Sequence, residues 1–228
     1  MAELTVGLLL YPEFEILDMA GPLECLNILS VYMGKKLDLH IISDTMDPVG
    51  PGTREDGSST FAGKQLYVPT CTVHDAPSID LLIVPGGPGS VKKDVMKPFV
   101  EYIRKLHTDA KPPKYFFSIC SGSLLFAQAG ILDEQSATTN KAFWTNITAQ
   151  GPRTKWIAKA RWVVSGNIWT TSGVTAGIDG MLALMARIWG DETADGVEAT
   201  MEHNRAREAG EDPWAEKYGC EDVLPVDK

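Results

Sequence analysis

Three short apolar runs, each closed by turn-forming residues, fix the class of fold. Leu4–Leu10 is continuously apolar. Ile79–Val84 ends in Pro85-Gly-Gly-Pro-Gly89, and Lys114–Ile119 ends in Cys120-Ser-Gly-Ser123. Runs of this length without polar alternation suit strands buried on both faces, as in parallel sheets. Helical patterns lie between them. One runs from Asp18-Met-Ala-Gly-Pro22 to about Val31, with Pro22 fitting a first helical turn. Val91–Ala110 reads as a long amphipathic helix and Ser121–Ala129 as a shorter one, while Leu37–Ser43 reads as a further strand. Strands alternating with helices predict an α/β fold, a mostly parallel central sheet with helices on both faces.

The remaining segments complete this pattern. Residues 44–64 are rich in Gly, Pro, Ser, Asp and Thr and read as an excursion with short strands at best. Lys141–Ala149 reads as a helix. Ala160–Val164 and Asn167–Thr171 read as a hairpin turning at Ser165-Gly166. Thr175–Trp189 and Asp191–Arg205 read as closing helices, and the polar tail from about Ala209 as either a docked arm or a loose end. No repeat or linker divides the chain, so residues 1–228 are expected to form one domain. The formal net charge of −9 argues against nucleic acid and anionic membranes as partners. The N-terminus lacks the basic and apolar regions of a secretory signal, and no apolar stretch approaches a membrane span. The four cysteines form no CxxC pair or zinc-ligand spacing, so reduced cytoplasmic thiols and no metal are expected.

In folds of this kind the chemistry gathers at the carboxyl ends of the strands. Three such ends carry unusual residues: Tyr11 to Pro22, Pro85 to Gly89, and Cys120 to Ser123. A thiol on a sharp strand-to-helix turn is presented outward, next to backbone N–H groups that stabilise a thiolate. Cys120 is therefore read as a nucleophile rather than a packed core cysteine. None of His40, His74, His107 and His203 stands at an evident strand end after Cys120, so a Cys–His pair is not supported. Asp18 either caps its helix or faces the Cys120 turn and handles its proton; the residues alone leave both open. Glu13 and Glu15 read as loop charges. Gly86 and Gly87 can offer backbone N–H groups to an oxyanion, or simply make a turn that needs positive φ. They form no phosphate-loop or dinucleotide motif, and no cofactor is expected. The stretch Thr171–Gly177 reads as tight packing, and Trp144 as standing near a site wall.

Six segments together resemble the ThiJ/PfpI superfamily, which is related to class I glutamine amidotransferases. They are Leu17–Pro22, Val84–Gly87, Ser118–Leu124, Ala129–Leu132, Ala137–Thr139 and Gly173–Asp179. The resemblance spans about Leu4 to Trp189 and implies a flavodoxin-like three-layer sandwich. Within the superfamily it leans toward isocyanide hydratases and the amidotransferase-like domains of AraC-type regulators. No helix-turn-helix pattern follows Trp189, so a DNA-binding regulator is not expected.

Carried over residue by residue, the resemblance implies Cys120 as nucleophile and Asp18 as its acid/base partner. The backbone around Gly86, Gly87 and Ser121 would complete the site. One position departs from the family pattern. After the elbow helix the family usually has Ala-Thr-Thr-His-Trp, and here the sequence is Ala137-Thr-Thr-Asn-Lys141. Asn140 cannot act as a base, but it can hydrogen-bond a substrate. The implied reaction is the cofactor-free hydration of a small isocyanide to a formamide, with a homodimer as the expected assembly. Alternatives are a glutathione-independent glyoxalase acting on methylglyoxal and a redox-sensing or chaperone-like protein without catalysis. The glyoxalase ranks lower because its usual Glu and His are lacking.

Overall fold

A strand buried on both faces must find all its backbone partners inside a sheet, and the apolar runs do so here. The computed structural model describes residues 4–52 and 61–226. In chain order the elements are β1 (Leu4–Leu9), α1 (Ile16–Val31), β2 (Leu37–Ser43), β3 (Cys71–Thr72), β4 (Leu81–Val84) and α2 (Lys93–Thr108). There follow β5 (Tyr115–Ser118), α3 (Ser123–Ala129), β6 (Ser136–Ala137), α4 (Trp144–Thr148), β7 (Lys155–Trp156), β8 (Trp162–Ser165) and β9 (Ile168–Thr171). The chain closes with α5 (Ala176–Trp189), α6 (Asp191–Met201) and α7 (Trp214–Lys217). Seven strands form one sheet in the order β3-β2-β1-β4-β5-β9-β8, and β6 and β7 form a small second sheet. Every pairing in the large sheet is parallel except β8 with β9. The register sets Leu8 beside Ile83, Ile83 beside Phe117 and Phe117 beside Trp169, an apolar row through the core. The helices lie on both faces of this flavodoxin-like sheet. α1 packs with α5 and α6, and α2 packs with α3.

Several boundaries differ from the sequence reading, each for a local reason. α1 begins at Ile16, so Asp18 lies inside its first turn and Pro22 in its second. Glu15 occupies the N-cap position and makes no side-chain cap bond, which removes the capping role considered for Asp18. The hairpin turns at Gly166-Asn167, one residue later than the sequence suggests, because Ser165 pairs directly with Ile168. Gly166 takes the positive φ, 61°, that this turn requires. Of the 44–64 excursion, residues 53–60 lie outside the described set. The remainder contributes a bridge from Val49 to Tyr67 and a short 3₁₀ turn at Ala62–Lys64. The tail is docked: Val223 bridges Trp156, and the Ala158 N–H donates to Asp222 Oδ1 at 2.7 Å.

The strand order locates the site. From β1 the chain moves outward to β2 and β3, then returns to lay β4 on the other side of β1. Connections leaving β1 and β4 therefore diverge, which opens a crevice at their carboxyl ends. β5 lies next to β4 and delivers its own carboxyl end to the same crevice.

Candidate active site

The β5 strand runs into a single 3₁₀ turn, Cys120–Gly122, before α3 begins. This sharp reversal forces Cys120 to φ +56°, a left-handed conformation uncommon for a residue with a Cβ. The strain persists because the surroundings hold both ends of the residue. Its N–H donates to Ser172 O at 2.9 Å. Its carbonyl accepts from Ser123 Oγ at 3.1 Å and Thr139 Oγ1 at 3.0 Å. Gly122 is required, since a Cβ there would sit 2.4 Å from Val84 O. Backbone held this way concentrates at functional sites.

Three groups address the sulfur. Asn140 Nδ2 donates to Sγ at 3.1 Å. The N–H groups of Ser121 and Val174 also favour the thiolate. The Asn140 amide is locked in this sense because its Oδ1 accepts the Phe143 N–H at 3.2 Å. The residue that replaces the family's histidine therefore presents a donor to the sulfur. Burial and the Asp18 carboxylate outweigh all three donors and push the Cys120 thiol up to about 12. The backbone donors of the turn act to lower the thiol pKa, as the sequence reading expects, but burial is the larger effect. Burial thus favours the protonated thiol, and a reaction through the sulfur needs an acceptor for that proton.

Asp18 is fully buried. Its Oδ2 accepts the Gly86 N–H at 2.8 Å, and its Oδ1 has no hydrogen-bond partner. Burial raises its pKa to about 7, with Glu15 adding to the rise; the Gly86 N–H and the Cys120 side chain oppose it. Asp18 follows β1 and Cys120 follows β5, with only β4 between those strands. The two groups bear on each other electrostatically: the Asp18 carboxylate is one of the causes that raise the Cys120 thiol. Tyr11 stands close to both: its hydroxyl donates to Pro85 O at 2.6 Å, and its own pKa is raised by burial and by the negative charge of Asp18 and Cys120.

Gly86 and Gly87 are not the free donors that the sequence suggests. The Gly86 N–H is donated to Asp18, and the Gly87 N–H to Ser121 Oγ at 3.0 Å. Ser90 Oγ lies 2.8 Å from both Ser121 Oγ and Gly87 O, closing a small hydroxyl network. Gly86 is still needed for space: a Cβ would come within 2.6 Å of Ser121 N and 2.9 Å of Cys120 Cβ. Gly87, at φ 131°, would drive a Cβ to 2.4 Å from Glu13 O.

A pocket of about 520 Å³ opens at the sulfur. Its lining includes Pro88, Val91, Phe143, Ile147 and Val174, together with Gly87 and the polar side chains of Glu15, Ser90, Ser121, Asn140 and Asn146. Glu15 is thus more than a loop charge, and Val174 more than packing. Only the approach of α1 and of the 172–175 turn to the elbow brings them in. Glu13 is buried and ion-paired with Lys92. Phe143, not Trp144, forms the wall; Trp144 is buried, its Nε1 donating to Glu221 O. No histidine lines the pocket. His40 contacts Asp38, His74 lies near Asp44, His107 packs edge-on against Phe116, and His203 bonds Asp179. Among the described residues no cluster of His, Cys, Asp and Glu could hold a metal ion, and no helix is long and apolar enough to cross a membrane.

Comparison with known proteins shows the family. The DJ-1/PfpI family model matches residues 5–187. The isonitrile hydratase of Pseudomonas putida is 32% identical over 200 residues, covering 88% of this chain and 78% of that protein. The HTH-type transcriptional regulator GbdR of Pseudomonas aeruginosa is 26% identical over 205 residues, 89% of this chain but 52% of the regulator. A crystal structure of a ThiJ/PfpI family protein from Pseudomonas syringae superposes with a TM-score of 0.72 at 26% identity, covering 90% of this chain and 77% of that one. The chain belongs to the DJ-1/PfpI family.

Proposed function

We propose that this DJ-1/PfpI family member is a lyase that hydrates a small isocyanide, R–N≡C, to the formamide R–NH–CHO, with Cys120 as nucleophile and Asp18 as proton carrier. The observation that carries this reading is the pairing itself. A thiol on a strained turn is backed by a buried carboxyl whose pKa lies near neutrality, and no histidine lines the pocket. The likeness to an isonitrile hydratase supports the same reaction class.

The steps balance with water as the only co-reactant. The Asp18 carboxylate takes the thiol proton as sulfur forms a bond to the terminal carbon of the isocyanide. The carbon then takes that proton from Asp18, giving the thioimidate R–N=CH–S–Cys120. Water adds to this carbon while nitrogen is protonated. The C–S bond breaks, the formamide leaves, and the thiol is restored. The donors at the sulfur, Asn140, Ser121 N–H and Val174 N–H, stabilise the thiolate character that develops in the first and last steps. A carboxyl with a pKa of about 7 suits this duty, because it accepts and returns a proton at similar cost.

The alternatives fit less well. A glyoxalase of this family would use a histidine beside the cysteine, and Asn140 occupies that neighbourhood. Peroxide sensing favours an easily formed thiolate, whereas burial raises this thiol. The reading includes a homodimer in the cytoplasm, carried by the family resemblance. Purified protein should convert a simple aryl or alkyl isocyanide to its N-formamide, and Cys120→Ala should reduce the rate by at least about a thousandfold. Absence of formamide with the wild-type chain, or full activity in the variant, would refute the assignment.

A further inference from the structure

The Cys120 pocket is apolar on most of its wall, and Glu15 is the one ionisable side chain among its lining residues besides the cysteine. Glu15 is half-buried, and its carboxylate makes no N-cap bond and has no hydrogen-bond or ion-pair partner among the described residues. No lysine or arginine lines the pocket. The nearby cation, Lys92, is paired with Glu13 instead. A second carboxyl, Asp18, is fully buried and does not line the pocket, but it bears electrostatically on the same sulfur. A small, largely apolar pocket whose charged wall group is a single carboxylate, with no cation to offset it, focuses a negative potential on whatever enters it.

We propose that Glu15 determines the specificity of this site: it selects an electrophile with an apolar body and a cationic or hydrogen-bond-donating end, and it disfavours anionic ones. The apolar body lies against Val91, Phe143 and Ile147, the electrophilic atom meets Cys120 Sγ, and the donor end meets the Glu15 carboxylate. The inference rests on Cys120 as the nucleophile of the pocket, and not on the electrophile being an isocyanide.

The test uses two methanethiosulfonates of similar size, one carrying a trimethylammonium group and one a sulfonate. Each forms a mixed disulfide with the thiol and releases methanesulfinate. Labelling at Cys120 is followed by peptide mass spectrometry, with half-buried Cys220 as internal control. In the wild-type chain, Cys120 should react about tenfold or more faster with the cationic reagent. Glu15→Gln should remove most of that preference at Cys120 and leave the Cys220 ratio unchanged. Glu15→Lys should reverse it. Equal labelling of Cys120 by both reagents in the wild type, or a wild-type ratio in Glu15→Gln, overturns the proposal. An intact charge preference in a chain that hydrates no isocyanide supports this inference and counts against the hydratase reading alone.

Discussion

Asp18 carries a cost that can be measured. Its pKa is raised from 3.8 unfolded to about 7 folded, so the native state holds its proton more tightly. Stability from this group is therefore fully present below pH 3.8 and falls as pH rises through about 7. The shift corresponds to roughly 4 kcal/mol lost at alkaline pH. Asp18→Asn keeps an acceptor for the Gly86 N–H but never ionises. It should melt higher than the wild type at pH 8, with the difference closing near pH 4. The same variant should lose about a hundredfold or more in turnover. The wild-type rate should rise as pH passes about 7, when Asp18 becomes able to accept the thiol proton, and that step should vanish from the profile of the Asp18→Asn variant. A rate profile flat through this range in the wild type would remove Asp18 from the proton path.

The elements that hold the site are its turns and the docked arm. Gly86 leaves no room for a side chain between the β4 turn and the elbow. Gly86→Ala should cost about 1–3 kcal/mol of stability and slow the labelling of Cys120, as the elbow shifts to relieve the contact. The arm is held by a buried ion pair: Lys141 Nζ lies 3.2 Å from Asp212 Oδ2, with both side chains almost fully inaccessible. Lys141 also donates to Thr138 Oγ1, Thr139 O and Ala160 O. It thereby ties the arm to the loop that carries Asn140. Asp212→Asn strands the buried ammonium and should destabilise the fold by about 3–5 kcal/mol. Hydrogen exchange should quicken across residues 209–226 and around Asn140. Unchanged exchange in both segments would show that the pair does not couple them. Neither Lys141 nor Asp212 stands out in the sequence, since a Lys and an Asp so far apart along the chain reveal nothing until folding brings them together.

The whole molecule divides the same way. Light scattering should give twice the chain mass if the chain forms the homodimer proposed above, and a clean monomer would refute it. The parallel sheet, the helices on both faces and the carboxyl-end location of the site follow from apolar runs closed by turn residues. Those runs have no other way to satisfy their backbone groups. The elbow is legible too, because a strand that meets Cys-Ser-Gly-Ser at a helix start has few conformations open to it. The strand order, however, arises from long-range pairing, and it is this order that sets Asp18 two strands from Cys120 rather than across the molecule. The protonation of the pair likewise lies beyond the sequence. Residue types point to donors that favour a thiolate, and those donors are present, but burial of both groups, which only the fold brings about, pushes both pKa values up. The occupied N–H groups of Gly86 and Gly87, and the entry of Glu15 and Val174 into the pocket, have the same origin. Local pattern dictated which backbone forms could occur; solvent exclusion and the distances between remote residues, which exist only in the packed chain, dictated the chemistry.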